Sequence, residues 1–290
     1  MQALTFYLLL PFIYLLSVLP FWIMYRISDF MYFILYYIIR YRREVVYKNL
    51  RKSFPEKSDE DLIKLSKKFY AYLCDLTLEA LKKLTMTEAQ TLKHIKFKDT
   101  TVLDKLYAEN KSIILLMGHY GNWEWAGSAF TLQSKYQLYV IYQPLSNKHF
   151  ENLMVKTRTM FGTKLIKVNA TLRDMIALKN TMTATAFIAD QTPPPESAYW
   201  TSFLNQETPV FTGAEKIGKK LDFPIVFINI DRIRRGYYEI TAELLVEHPK
   251  ETAENEISEL FIQRLEQEIH RKPEIWLWSH KRWKHKRVKN

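Results

Sequence analysis

The first 25 residues, Met1 to Tyr25, contain no charged side chain and are dominated by Leu, Phe, Ile, Tyr and Trp. A helix rises about 1.5 Å per residue, so the roughly 20 apolar residues needed to cross a hydrocarbon core are available. The run therefore predicts a transmembrane or membrane-embedded helix, with a buried pair of core helices as the alternative. Pro11 and Pro20 each can kink it. A second apolar run, Phe30 to Ile39, follows Arg26 and Asp29; it is too short to span and predicts an interfacial helix. No basic stretch precedes the first run and no small-residue cleavage pattern follows it, so a removed signal peptide is not expected. Arg40, Arg42, Arg43, Lys48, Arg51 and Lys52 come after the apolar runs and no Lys or Arg before them, which places the remainder on the cytoplasmic face of the inner membrane. This predicts an anchor over residues 1–40 and one domain over 41–290.

The charge balance narrows the partners. With 42 Lys+Arg against 31 Asp+Glu, the formal net charge of +11 calls for an anionic partner. The last eleven residues hold Lys281, Arg282, Lys284, Lys286, Arg287 and Lys289 and no acid. Beside them, Trp276, Trp278 and Trp283 suit an anionic leaflet as well as RNA; with an anchor present, anionic membrane lipids are expected and nucleic acid is not. Cys74 alone cannot form an internal disulfide, and its place in an amphipathic stripe predicts a core residue. The seven histidines show no ligand spacing, so neither a metal nor a tightly held cofactor is expected.

Leu62, Leu65, Phe69, Leu73, Leu76 and Ala80 recur at helical spacing between Ser58 and Leu84, predicting a long helix capped by Ser58 or Asp59. Beyond it, strand patterns at Ser112–Met117, Leu138–Tyr142, Thr183–Ala189, Pro224–Ile230 and Tyr237–Thr241 alternate with helical stretches. The clearest of these are Trp123–Leu132, Lys148–Met160 and Thr212–Leu221, and another helix is predicted over Thr252–Lys272. That alternation predicts an α/β fold with a central sheet flanked by helices, whose sites lie at strand ends.

The segment MGHYGNWEW, residues 117–125, directly follows the first of these strands. Gly118 and Gly121 permit a tight turn, Asn122 is a good helix cap, and Glu124 falls in the first helical turn. Across such a turn His119 and Glu124 can face each other. The acid would then fix the imidazole tautomer and leave the second ring nitrogen free to take a proton. Activating an alcohol for attack on a thioester needs that arrangement and no protein nucleophile. Backbone N–H groups around Gly121 could stabilise an oxyanion or hold a phosphate. A merely structural His–Glu pair is the alternative.

These residues resemble the bacterial late lipid A acyltransferases, the lauroyl and myristoyl transferases, which carry His, four residues, then Asp or Glu. NLRKSFP at 49–55 is similar to the family's Asn-x-Arg-x-x-Phe-Pro segment, FIADQ at 187–191 to a strand end of the family, and PEIWLWSHKRWK at 273–284 to its carboxy-terminal signature. Arg158 lies near the family's arginine-rich segment. After Gln191, Thr192 and three prolines stand in place of the family's Tyr-Gly-Pro. The resemblance implies a membrane-anchored enzyme with a mixed sheet like that of the glycerolipid acyltransferases. Its donor would be an acyl carrier protein thioester and its acceptor a hydroxyl of a phosphorylated glycolipid, the lipid A precursor. His119, Glu124 and Arg158 are then the expected catalytic residues, and Gly121, Asn122, Asp190 and Gln191 the expected substrate-binding ones. Taken alone, Asp190 is either a site residue or the cap of the next turn. The rivals are the same transfer onto another glycolipid, an aminolipid or a lysophospholipid, and a non-catalytic lipid-binding protein. GAEKIGKK at 213–220 places Lys220 where a P-loop needs Ser or Thr, and no GxSxG elbow exists, so nucleotide and serine-lipase readings are set aside.

Overall fold

In the computed structural model, which describes residues 2–287, the apolar amino terminus folds as two helices rather than one. Helix α1 (Gln2–Val18) has 17 residues, roughly 26 Å of rise against the ~30 Å of a hydrocarbon core. It stops before Pro20, which caps α2 (Phe21–Phe33), a helix that carries Arg26 and Asp29. No described helix is long and apolar enough to cross a membrane, which corrects the expected transmembrane helix. Pro11 is accommodated inside α1. A π-helical turn, Ile34–Ile38, continues α2 where the interfacial helix was expected.

The remaining helices and strands alternate. In chain order they are α3 (Arg43–Ser53), α4 (Asp59–Lys82), α5 (Glu88–His94), β1 (Ile95–Phe97), α6 (Thr101–Ala108), β2 (Ile113–Met117), α7 (Trp123–Gln133), β3 (Gln137–Tyr142) and α8 (Lys148–Arg158). Then come β4 (Lys164–Lys167), α9 (Thr171–Ala177), β5 (Thr183–Ile188), β6 (Tyr199–Phe203), β7 (Gln206–Val210), α10 (Gly213–Leu221), β8 (Ile225–Arg234), β9 (Tyr237–Val246) and α11 (Glu256–Arg271). Seven strands form one mixed sheet in the order β1-β9-β8-β2-β5-β3-β4, with only β8 and β9 antiparallel. β6 and β7 make a separate hairpin.

Burial on both faces explains why β2 reads as an unbroken apolar run. Ile113, Leu115 and Met117 enter the core beneath α6 and α7, while Ile114 and Leu116 enter the core beneath α4, α10 and α11. Cys74 lies in α4 and is buried as expected, its thiol pushed up to about 12 by desolvation. Ser58 caps α4 by accepting the Asp61 N–H at 3.2 Å. The carboxy-terminal tryptophans do not face outward. Trp276 and Trp278 are fully buried and Trp283 packs against the same core, so the expected leaflet contact is not made by these rings. Of the basic tail, Lys289 lies outside the described residues.

Candidate active site

Met117 at the end of β2 stands opposite Ile188 at the end of β5 in parallel register. The residues that follow the two strands therefore leave the sheet at one edge, and His119 meets Asp190 from 71 positions away. Asp190 Oδ1 lies 2.6 Å from His119 Nδ1, and Oδ2 accepts the His119 backbone N–H and the Trp276 indole N–H, each at 2.8 Å. Burial opposes ionisation of this carboxyl, but the adjacent imidazole and the three donors hold it below the usual carboxylate range. A carboxylate on Nδ1 keeps a proton there and leaves the lone pair on Nε2. The Gln191 amide nitrogen, 3.2 Å from Nε2, donates to it.

The carboxylate on the imidazole is thus Asp190 and not Glu124. Helix α7 starts at Trp123, and from its first turn Glu124 reaches Arg158 at the end of α8 through Nη2, and through Nε at 3.2 Å. Lys83 donates to the Glu124 backbone carbonyl at 2.6 Å. Burial raises the Glu124 carboxyl, but Arg158, Lys83 and His119 together hold it below its ordinary value. Burial pulls Lys83 down to about 8. Arg158, expected as a catalytic residue, is committed to Glu124. Gly121 and Asn122, expected to bind substrate, brace the turn. The Gly121 N–H is taken by the Ile275 carbonyl at 3.1 Å, and a Cβ at its φ of +62° would sit 2.0 Å from the Ile230 carbonyl oxygen. Asn122 caps α7 through the Trp125 N–H and donates to Glu79.

An apolar slot opens beside the imidazole. The Trp123 ring meets His119 edge-on at 5.0 Å and lines the slot with Met117, Phe130, Leu138, Val140 and Ile188. Gly127 keeps it open, since a Cβ there would meet only Leu138, at 3.9 Å. A second cavity shares Trp123, Gly127, Val140 and Ile188 and reaches Glu124 and Arg158. An imidazole in contact with one wall of an apolar slot suits chemistry at the head of a fatty chain. In sequence, the model of the bacterial lipid A biosynthesis acyltransferases matches residues 1–285. The chain belongs to this family. It is an acyltransferase of lipid A biosynthesis, and the edge shared by β2 and β5 is its candidate active site. No curated protein matches the sequence.

Three further groups brace the acyltransferase site; the first was not singled out in the sequence, and the other two are segments quoted there for their resemblance alone. Asp75, Glu79 and Lys83 recur every four residues on one side of α4, and that polar repeat inside an apolar stripe was the available signal. Asp75 takes Ser28, Arg232 and Arg235; Glu79 takes Tyr25, Asn122 and Tyr238. Together with the Tyr72 hydroxyl on the Gly121 carbonyl at 2.5 Å, they fix the 121–125 turn on α4. The second group explains the NLRKSFP segment. Asn49 donates to the Trp278 and His280 carbonyls, at 2.9 and 3.1 Å, and so holds the carboxy-terminal signature in place.

The third group is that signature itself. Leu277 donates to the His119 carbonyl at 3.1 Å, His280 Nε2 lies 3.3 Å from the Thr192 hydroxyl, and that hydroxyl donates to the Arg282 carbonyl at 2.7 Å. The Arg282 guanidinium is fully buried near the Phe203 ring, has no hydrogen-bond partner among the described residues, and is pulled down to about 10 by desolvation. Burial likewise pulls the His280 imidazole down to about 4 from 6.5. Between those values the unfolded chain binds a proton that the folded chain refuses, so this group's contribution is complete above about pH 6.5 and is lost as the pH falls towards 4. His280→Asn is expected to flatten the acid side of the stability profile. Urea midpoints between pH 4 and 6.5 measure it, and an unchanged slope would assign the acid sensitivity to other groups.

Proposed function

We propose that the chain transfers a fatty acyl group from an acyl carrier protein thioester to a hydroxyl of a phosphorylated lipid A precursor, with His119 as general base. The observation that carries this reading is the 2.6 Å contact between His119 Nδ1 and Asp190, beside a slot lined by apolar side chains. Nε2 takes the proton of the acceptor hydroxyl as its oxygen attacks the thioester carbonyl. The tetrahedral intermediate then expels the carrier's thiolate, which recovers that proton from the imidazolium, leaving an ester and a free thiol. Asp190 holds the tautomer and balances the transient imidazolium charge. Trp123, Gly127 and Ile188 take the start of the acyl chain.

The protein works on the cytoplasmic face of the inner membrane, resting on it rather than crossing it. Leu4, Leu8, Phe12 and Leu15 stand on one side of α1 and are 57–66% exposed, and Trp22, Phe30, Phe33 and Ile38 continue the apolar surface. A helical stripe of that kind is stable only against an apolar phase. The anionic carrier and the anionic acceptor both suit a basic chain.

Purified protein incubated with acyl carrier protein thioesters and a panel of phosphorylated glycolipid, aminolipid and lysophospholipid acceptors, read by mass spectrometry, tests the reading. Transfer to the glycolipid is expected, with His119→Ala slower by about 10²–10⁴-fold. Wild-type turnover by that variant would remove the mechanism, and transfer only to another acceptor would replace the substrate.

A further inference from the structure

A groove of about 620 Å³ lies away from the catalytic edge, between the π-helical turn, the start of α3 and the outer side of α4. Arg40, Arg42 and Arg43 line it together with Tyr36, Tyr47 and Ile63, and Glu44 is the one acid on its wall. The three arginines are not equivalent. Arg42 donates to the Ser279 carbonyl at 3.0 Å, and Arg43 lies over the Tyr36 ring at 4.4 Å. The Arg40 carbonyl accepts the Arg43 N–H at 3.3 Å, but its guanidinium forms no hydrogen bond or ion pair within the described residues and the residue is exposed. Two of the three, Arg40 and Arg42, hold left-handed backbone at φ 54° and 51°, a conformation that side chains such as these rarely adopt. The turn that leads into them is π-helical, closed by the Ile39 N–H on the Ile34 carbonyl at 2.9 Å.

The surroundings of the groove say what chemistry it fits. Beside its lining residues in the chain, Tyr37, Ile38, Ile39 and Tyr41 are 39–64% exposed, and Ile63 on its wall is 43% exposed. This apolar run is continuous in sequence with the exposed apolar side chains of α2. A site with three guanidiniums against one carboxylate, opening on an apolar ledge, matches an anion that carries hydrocarbon. A guanidinium fork meets phosphate with two N–H groups on two oxygens, as it meets a carboxylate, but a phosphate monoester offers a third oxygen and a second charge to a second guanidinium.

We propose that this groove is a binding site for the phosphate headgroup of a membrane lipid, whose acyl chains lie along the apolar run. Arg40 supplies the free fork and Arg43 the second charge. Through Arg42 the occupied groove abuts the segment 278–280, which the Thr192–His280 contact joins to the catalytic edge. The inference rests on the reading that the apolar surface meets a membrane, and the experiment separates the two.

Full-length protein is titrated with vesicles of phosphatidylcholine alone, with added phosphatidate, and with added oleate matched for surface charge. Binding to phosphatidylcholine alone reports the apolar surface. Arg40→Gln/Arg43→Gln is expected to lose at least about 50-fold in affinity for phosphatidate vesicles, above the roughly 30-fold that general surface attraction, about fivefold per charge, gives for two residues. Its loss on oleate vesicles should be several-fold smaller, and its binding to phosphatidylcholine alone unchanged. Lys216→Gln, an exposed charge on α10 outside the groove, should stay within twofold throughout. Arg40→Gln alone, which breaks no contact, guards against loss of folding and should account for most of the effect. Equal losses on phosphatidate and oleate would overturn the phosphate site while leaving the membrane reading intact. A wild-type protein that binds none of the vesicles would overturn both.

Discussion

Asp190→Asn is expected to lower turnover by about 10²–10⁴-fold, with much the smaller part of the defect in substrate KM. The carboxylate receives three donors: one oxygen takes the ring Nδ1–H, and the other takes the His119 backbone N–H and the Trp276 indole. An asparagine has one acceptor oxygen for those two directions. If the oxygen keeps the backbone N–H and indole, the amide NH₂ faces Nδ1, and the ring must shift its proton to Nε2 to accept. The nitrogen that should take the acceptor's proton then already carries one. If the amide turns over, the indole loses its acceptor and faces a donor instead, which weakens the packing of Trp276. The two outcomes separate experimentally: the first leaves thermal unfolding near wild type, the second lowers it. Glu124→Gln, by contrast, leaves Asp190 on the ring and is expected to lose less in turnover than Asp190→Asn. An Asp190→Asn protein with wild-type kcat, or the reverse ranking, would return the orienting role to Glu124.

Glu124→Ala is expected to be a stability variant before it is a catalytic one, losing about 3 kcal/mol of unfolding free energy. The Glu124 side chain is 20% exposed and its partner Arg158 27%, so the pair is only partly shielded by water. Removing the carboxylate leaves Arg158 and Lys83 as two largely buried cations with nothing between them. Lys83, already drawn down to about 8, would release its proton more readily still. The double variant Glu124→Ala/Arg158→Met removes one of the two charges left behind and replaces it with a flexible apolar chain. It is expected to regain part of the loss, since most of the cost of breaking such a pair is the unpaired charge. Urea unfolding of the four proteins in the cycle measures this. Additive losses in the double variant would show that Glu124 and Arg158 are not coupled.

The strand ends that carry the site were readable in the sequence, because β2 and β5 are buried on both faces and so appear as apolar runs bounded by polar turns. The expected Ser112–Met117 and Thr183–Ala189 differ from β2 and β5 by single residues at their ends. The short strands β1 and β4, and the β6–β7 hairpin with Pro209 in one strand, carry too few alternating residues to announce themselves. The partner of His119 was hidden for a different reason. Glu124 is five positions away and invites a local pair, whereas Asp190 becomes a neighbour only through the register of β2 on β5, which no short spacing encodes. The apolar amino terminus was read by composition alone. Composition does not reveal that Pro20 ends α1 and that α2 spends its polar residues on α4, through Tyr25 to Glu79 and Ser28 to Asp75.

One consequence follows for how the molecule is made. The bridge between Tyr120 and Trp276, and the indole of Trp276 on Asp190, mean that the His119–Asp190 pair is clamped by a segment synthesised some 150 positions after His119. A nascent chain emerging from the ribosome can form α1 and pair most of its strands while still being catalytically silent. Termination anywhere before residue 276 should therefore give a product that folds in large part yet does no chemistry, and competence should arrive abruptly, with the closing of that clamp, rather than by degrees.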